Sequence, residues 1–298
     1  MNLKLGRLFT FGCSFTQYNW PTWADILGRE FDFSENWGRA GSGNQFIFNS
    51  LIECSQKNKF TSQDHVIIMW TSVDREDRYV ANRGGWIGKG GVFHHTLYAE
   101  SWVNKFACHR GYLIRDLAAI TAAKTLLEHW GVNYTMLSMM PLAQSEHWPQ
   151  IDDTNSDVIN LYKSAVDEIK TSICELIFNE DFSRKLTFSN TRKPTKELVN
   201  TLKQTYIKCA GDDWPSFDHF YKQLPIEESI AEEIKKFFLF DRLQDIVLGQ
   251  DTSHPSPQEH LYYLQRVLPE YEISNDTIEW IEQYQFSDYF NKHLPNRL

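Results

Sequence analysis

The sequence predicts an α/β protein: a three-layer α/β/α sandwich around a central parallel sheet, with a helical subdomain inserted into it. Buried strands are predicted at 5–11, 65–70 and 132–139, and the segment 65–70 is a continuous apolar run of strand length, typical of a central parallel strand. Segments of helical period lie between them, and such alternation favours a parallel sheet. With 298 residues, the chain is long enough for one large domain of this class.

The first half of the chain is predicted to alternate strands with helices. Its strands are rich in β-branched and aromatic residues, and Pro21 suits the first turn of a helix. The predicted elements are, in order, a strand at 5–11, a helix opening at Pro21, a short strand near 35–37, a glycine-rich turn at 38–44, a helix at 45–55 and a strand at 65–70.

A glycine-rich stretch follows at 82–95. Its spacing is not that of a phosphate-binding loop, and we expect a mobile loop over a site. Its adjacent histidines, His94 and His95, would point to opposite sides of a strand, which disfavours a metal role. An amphipathic helix at 113–130, with Gly131 as its C-cap, then leads into the last buried strand.

The remainder of the chain is predicted to be mainly helical. The composition becomes charged and helix-forming after the last buried strand, which indicates an insertion within one domain rather than a second domain. The single domain is predicted to span 1–298, with a helical insertion at about 144–240 and a C-terminal helical extension at about 270–298. Helices are expected within the insertion near 155–179, 195–209 and 226–238. Two later helices are expected at 258–267 and 275–284.

Charge and cysteine usage exclude several classes of function. The formal net charge is −9, and the clearest basic run is only Arg192-Lys193, so we expect no nucleic-acid partner. Five cysteines without a CxxC pair favour reduced thiols in a cytoplasmic setting over a disulfide scaffold or zinc site. We also expect no membrane span and no signal peptide, because no apolar run approaches about 18 residues and the chain enters a core strand directly.

Two short segments, far apart in the sequence, carry the residues of a Ser-His-Asp triad. Ser14 follows the first predicted strand, and Asp251 and His254 lie three positions apart in a turn before a predicted helix. In such a triad the histidine takes the serine proton and the carboxylate fixes the imidazole tautomer. The sequence therefore predicts Ser14, Asp251 and His254 as catalytic residues. The alternative is that Ser14 is structural and that the Asp251 turn caps a helix.

Other polar residues lie where chemistry is expected in an open parallel sheet, at the carboxyl ends of strands. The glycine-rich turn precedes a helix and is suited to bind an anion or an oxyanion. Arg75 follows the third strand and is predicted either to bind a substrate carboxylate or to pair with Glu76 or Asp74. Trp86, within the glycine-rich stretch, is the aromatic residue that we expect to contact substrate.

The residues Gly12-Cys13-Ser14-Phe15, the glycine turn and Asp251-x-x-His254-Pro255 occur in the order found in the SGNH hydrolases. The chain thus resembles this broad GDSL-like superfamily of esterases, lipases and carbohydrate deacetylases. The resemblance implies that Ser14 is both nucleophile and backbone donor. It also implies that Gly41, with Gly43 as the rival register, lies in the oxyanion hole.

Two departures from the family pattern are visible. Cys13 replaces the usual aspartate before the serine, and the third block, 70–74, lacks the oxyanion-hole asparagine. A hydroxyl from that block, such as that of Ser72, is one predicted replacement, and Asn44 from the second block is another. Loss of one oxyanion donor typically costs ~10²–10³ in turnover, so weak activity is compatible with the sequence.

The main hypothesis is a serine esterase that removes a small acyl group, most plausibly acetyl, from a carbohydrate. Its expected partner is a small ester or an acylated glycan, and no metal or organic cofactor is implied. The alternatives are a catalytically silent glycan-binding or structural module, and an acyltransferase that uses the same triad. The oligomeric state does not follow from the sequence.

Overall fold

A computed structural model describes residues 5–18, 20–81, 85–93, 98–142, 156–178, 254–255, 257–282 and 284. Six strands and nine helices lie within these ranges. The strands are β1 (Leu5–Phe11), β2 (Phe31–Asn36), β3 (His65–Trp70), β4 (Arg75–Val80), β5 (Gly85–Gly91) and β6 (Asn133–Ser138). The helices are α1 (Trp23–Gly28), α2 (Asn44–Asn58), α3 (Glu100–Phe106), α4 (His109–Trp130), α5 (Ser156–Leu161), α6 (Lys163–Val166), α7 (Ile173–Phe178), α8 (Pro257–Val267) and α9 (Asn275–Glu282).

Four of the strands form a parallel sheet in the order β2-β1-β3-β6. Parallel neighbours need crossover connections, and here α1, α2 and α4 lie between successive strands of the sheet. Because β1 and β3 are central, their carboxyl ends meet in the middle of one edge. The predicted α/β class with a central parallel sheet is confirmed.

Helices cover both faces of this sheet. Phe9 and Phe11 of β1 belong to a buried cluster with Val66 and Ile68 of β3 and with apolar residues of α2 and α4. Alternate residues of a strand point to opposite faces, so Leu8, also fully buried, faces the other layer. On that side α1 packs against α8. The three layers follow from this alternation.

Several predicted boundaries need correction. A mobile loop was expected at 82–95, and within it Gly85–Gly91 form β5, which pairs antiparallel with β4. Gly90 has φ +79°, a conformation that suits glycine, and its N–H donates to the Gly41 carbonyl at 3.0 Å. The predicted helical stretch 155–179 holds three short helices. Between the second and the third of them, Ile169 forms a β-bridge with Met136 at the edge of the sheet.

The chain divides into two compact units. The first comprises 1–182 and 257–282 and contains every element named above. The second comprises 183–256 and 283–298, and within it the structure describes only His254, Pro255 and Tyr284. Most of the predicted insertion at 144–240 and most of the extension at 270–298 lie outside the described residues and stay predictions.

Two further findings concern the described residues only. None of their helices combines the length and the apolar character needed to cross a bilayer. Their four cysteines, Cys13, Cys54, Cys108 and Cys174, are free thiols.

Candidate functional site

Three loops meet at the carboxyl edge of the sheet, after β1, β3 and β6. The sulfur of Met139, just beyond β6, is the atom they share. It lies 3.7 Å from the Cys13 thiol, 3.6 Å from the Thr71 hydroxyl and 3.8 Å from the Arg75 guanidinium. The polarisable thioether suits this mixed contact. The predicted convergence of strand ends is thus present around Met139, which sequence reasoning missed.

Ser14 lies in a tight, buried turn directly after β1. The carbonyl of Cys13 accepts hydrogen bonds from the N–H groups of Thr16 and Gln17, each at 3.0 Å. The carbonyl of Thr16 in turn accepts from the Thr22 hydroxyl at 2.6 Å. Only 6% of the Ser14 surface is exposed. The position is therefore rigid and largely shielded from water.

Gly12 is required by the packing of this turn. A Cβ at Gly12 would lie 2.0 Å from the Thr16 hydroxyl oxygen, 2.8 Å from the Thr16 Cβ and 3.1 Å from the Met69 carbonyl oxygen. Two of these three atoms belong to a side chain that is itself buried. No rotation of one flexible group removes the overlap, so the turn needs a glycine here.

We expect Gly12→Ala to reduce the free energy of unfolding by about 1–3 kcal/mol, because overpacking displaces the Ser14 turn. The matched control is Gly111→Ala in α4, where the nearest atom to an added Cβ is 3.7 Å away. That control should be neutral or stabilise the helix by about 0.5–1 kcal/mol. Urea unfolding of the two variants measures the difference. Equal stabilities would contradict this account of the turn.

Arg75 is a buried arginine that joins the loop after β3 to the glycine turn, which follows β2. Its Nε donates to the Ser72 hydroxyl at 3.2 Å and its Nη1 to the Ser42 carbonyl at 3.0 Å. Of the two predicted partners, Glu76 forms ion pairs with Arg78 and Arg115, and a pairing of Arg75 with Asp74 stays a prediction. The guanidinium thus ties the β3 loop to the glycine turn, and binding of a substrate carboxylate by Arg75 stays a prediction.

Asn44, at the start of α2, is occupied by contacts within the protein. Its amide nitrogen donates to the Thr71 carbonyl at 3.0 Å and to Asp116 at 2.9 Å, and its amide oxygen accepts from the Thr71 N–H at 2.8 Å. Both amide hydrogens are used in this arrangement. Asn44 therefore holds the backbone after β3 and has no hydrogen to offer an oxyanion, which leaves Ser72 as the predicted replacement.

The N-terminus of α2 carries an internal anion, Asp77 of β4. Its two oxygens accept from the N–H groups of Gly43 at 2.8 Å and Phe46 at 2.9 Å. Burial raises the pKa of Asp77, although both of these bonds act in the opposite direction. Since Gly43 already donates to Asp77, Gly41, with φ +76°, is the favoured register for a backbone donor.

Asp116, fully buried on α4, is the second acidic residue that sequence reasoning missed. It accepts from Asn44 and, at 2.6 Å, from Nε of Arg115. Burial raises its pKa to about 7, and Arg115 opposes that rise. Within an amphipathic helix an isolated aspartate gives no sequence signal, because nothing local distinguishes a buried carboxylate from an exposed one.

Trp86 lies in an aromatic row beside the glycine turn. Its ring meets Phe46 edge-on at 6.2 Å and Tyr79, its partner across the hairpin, at 5.8 Å. Arg39 lies over the Phe46 ring at 5.6 Å, and Tyr79 is 60% exposed. The row, defined here as Arg39, Phe46, Trp86 and Tyr79, thus combines exposed aromatic surface with one cation.

The triad of Ser14, His254 and Asp251 stays a prediction. Asp251 lies outside the described residues, and His254 belongs to the second compact unit. Their pairing with Ser14 stays a prediction. His94 and His95 also lie outside the described residues, and no group of three or more potential metal ligands occurs among the residues that the structure describes.

Comparison with known proteins gives a likeness of fold. No protein-family model matches the sequence, and no curated protein matches it. A lipolytic protein of the G-D-S-L family from Veillonella parvula aligns over 56% of this chain and 77% of its own, with 11% identity and a TM-score of 0.32. A putative lipolytic protein of that family from Desulfitobacterium hafniense aligns over 59% and 81%, with 14% identity and a TM-score of 0.33.

Proposed function

We propose that this protein is a serine esterase in which Ser14 attacks a carboxylic ester. The observation that carries the proposal is the position of Ser14, in a rigid turn at the carboxyl end of a central parallel strand. Ligands of open α/β sheets bind at this edge. Hydrogen bonds to the Cys13 carbonyl hold the backbone of the turn that carries the buried Ser14, and a fixed backbone at the nucleophile favours attack on a bound ester.

The proposed partners of Ser14 are His254 and Asp251. They directly precede α8 in the sequence, and α8 packs against α1, the first helix after the Ser14 turn. In the proposed reaction His254 accepts the Ser14 hydroxyl proton as the oxygen bonds to the ester carbon. It then gives the proton to the departing alkoxide, and a water molecule repeats the sequence to release the acid. Asp251 stabilises the imidazolium.

The oxyanion formed in each step needs hydrogen-bond donors. We propose the N–H groups of Ser14 and Gly41 together with the Ser72 hydroxyl. Nε of Arg75 donates to the Ser72 oxygen, which holds this hydroxyl in the loop after β3. Ser72 belongs to the third block, in which the family has its asparagine, and this position supports its replacement of that residue.

Replacement of Ser72 by alanine is expected to lower kcat by about 10²–10³-fold with little change in KM, because an oxyanion donor acts mainly in the transition state. Ser50→Ala, at a buried position on α2, is the control and should keep wild-type kcat. Steady-state hydrolysis of p-nitrophenyl acetate provides both values. A wild-type kcat in Ser72→Ala would exclude this hydroxyl from the oxyanion hole.

For the substrate we propose an acylated, most plausibly acetylated, carbohydrate. The aromatic row supports this choice, because aromatic faces stack on sugar rings. The strand that carries Trp86 is also hydrogen-bonded to the glycine turn, which belongs to the candidate site.

Trp86→Ala should raise KM for an acetylated oligosaccharide while leaving KM for p-nitrophenyl acetate unchanged. Trp102→Ala, which removes a partly exposed tryptophan of α3, is the control. Equal KM values for wild type and Trp86→Ala on the oligosaccharide would argue against the aromatic row.

The second candidate function is that of a catalytically silent glycan-binding or structural module. It is favoured by the commitment of Asn44 to Thr71 and Asp116, which leaves the oxyanion hole without an asparagine donor. Isothermal titration with acetylated and unacetylated oligosaccharides distinguishes the two functions. Binding without any acetate release would support the module.

A further inference from the structure

We propose that Asp116 is a positioning residue: through Asn44 it fixes the backbone of Thr71, and with it the loop that carries Ser72. The catalytic consequence rests on the proposed function, whereas the control of the loop does not. Among the described residues Asp116 hydrogen-bonds with Arg115 and with Asn44, and the contact with Asn44 is the one that leads directly to Thr71.

The connection consists of short, buried hydrogen bonds. Asp116 accepts from the amide of Asn44 at 2.9 Å, and the same amide closes a two-way pair with the carbonyl and N–H of Thr71 at 3.0 and 2.8 Å. All three residues are fully buried. Thr71 is the first residue after β3 and precedes Ser72 directly. A rotation of the Asn44 amide would therefore release the beginning of this loop.

A carboxylate at position 116 determines which way that amide points. Both oxygens of an ionised Asp116 accept hydrogen bonds, one from Asn44 and one from Arg115. The NH₂ group of Asn44 must then face Asp116, which leaves its oxygen to accept from the Thr71 N–H. An asparagine at 116 has only one acceptor oxygen, so either Arg115 or Asn44 would meet an NH₂ group.

The ionisation of Asp116 depends on its burial and on the charged groups around it. Arg115 contacts Asp116 and also donates to the Arg75 carbonyl at 2.8 Å and pairs with Glu76. Burial is the largest cause that raises the pKa of Asp116, to about 7; Arg115 acts in the opposite direction, and the like charge of Asp77 acts in the same direction as burial. Asp116 is thus ionised above this pH, and a protonated Asp116 loses one acceptor. Activity measurements belong at pH 8, where both oxygens accept.

The sign of the effect on stability follows from the direction of this shift. Because the folded-state pKa lies above the unfolded value, the folded protein binds more protons between the two, and its stability falls as the pH rises toward about 7. Asp116→Asn removes this dependence. The stability lost in Asp116→Asn, measured by urea unfolding, should therefore be larger at pH 5.5 than at pH 8.

The deciding experiment combines hydrogen exchange with kinetics. At pH 8, the Thr71 amide hydrogen should exchange at least about 10-fold faster in Asp116→Asn than in wild type, whereas exchange in β6 should be unchanged. The substitution removes one oriented hydrogen bond and leaves the fold in place. Its kcat for p-nitrophenyl acetate should fall by about 10- to 100-fold with KM within twofold of wild type. Asp157→Asn, which removes an exposed ion pair with Arg110, is the control and should change neither.

Each outcome decides the proposal. Unchanged Thr71 exchange, or unchanged kcat in an active protein, would overturn the role of Asp116. If wild type shows no Ser14-dependent hydrolysis, the proposed function fails, but the exchange measurement still tests control of the loop. Should Asp116→Asn not fold, Asn44→Ala removes the same connection. It must then show the same selective loss of Thr71 protection.

Discussion

Ser14→Ala should lower kcat for p-nitrophenyl acetate by about 10⁶-fold, because loss of the nucleophile removes the covalent route altogether. The physical reason lies in the turn after β1. Hydrogen bonds to the Cys13 carbonyl hold that turn whether or not the hydroxyl is present, so the alanine variant should fold normally. Steady-state hydrolysis and thermal unfolding of the same sample separate loss of chemistry from loss of structure.

The matched control for this prediction is Ser50→Ala. Ser50 and Ser14 have the same 6% exposure, but Ser50 points from α2 rather than from the strand ends. Its replacement should leave kcat within about twofold of wild type, because Ser50 takes part in no step of the proposed reaction. Equal activity of wild type and Ser14→Ala would refute the nucleophile.

His254→Ala is expected to have an effect of similar size, about 10⁶-fold in kcat, because triad members act as a unit. Asp251→Asn should cost about 10⁴-fold, since the wrong imidazole tautomer is then favoured. The control is His129→Ala, which removes an exposed histidine from the last turn of α4. Kinetics with the same ester measure all three variants.

A particular pattern would contradict the assignment of the base. If His254→Ala retained wild-type kcat while Ser14→Ala lost activity, another group must take the serine proton. If Asp251→Asn alone were unaffected, the carboxylate partner of His254 would be a different residue. The order of the three losses therefore tests each role separately.

Most of the fold was predictable because its signals are local. The apolar run of β3 is recognised residue for residue, and Gly131 at φ +65° ends α4 as its position suggests. The glycines of β5 were wrongly predicted to form a mobile loop. Their φ angles and pairing depend on β4 and on the glycine turn, which local composition does not reveal. Local composition carries no record of such a partner.

The candidate site was predictable only in part, for a similar reason. Ser14 follows a strand and is visible from its neighbours alone. Asp77 caps α2 from a strand more than 30 positions away, and Asp116 reaches Asn44 across 72 positions. Tertiary packing alone gives these carboxylates their partners and their burial. The sequence consequently indicated Asn44 as an oxyanion donor, whereas its amide is used to hold Thr71.

The measurement that tests the central claim most directly is labelling with a fluorophosphonate, followed by peptide mapping, in wild type, Ser14→Ala and His254→Ala. An activated serine in the proposed triad predicts one modified residue, Ser14, in wild type, and no modification in either variant. A folded wild-type protein that remains unlabelled, or that is labelled at another serine, would contradict the claim that Ser14 is the nucleophile of an esterase.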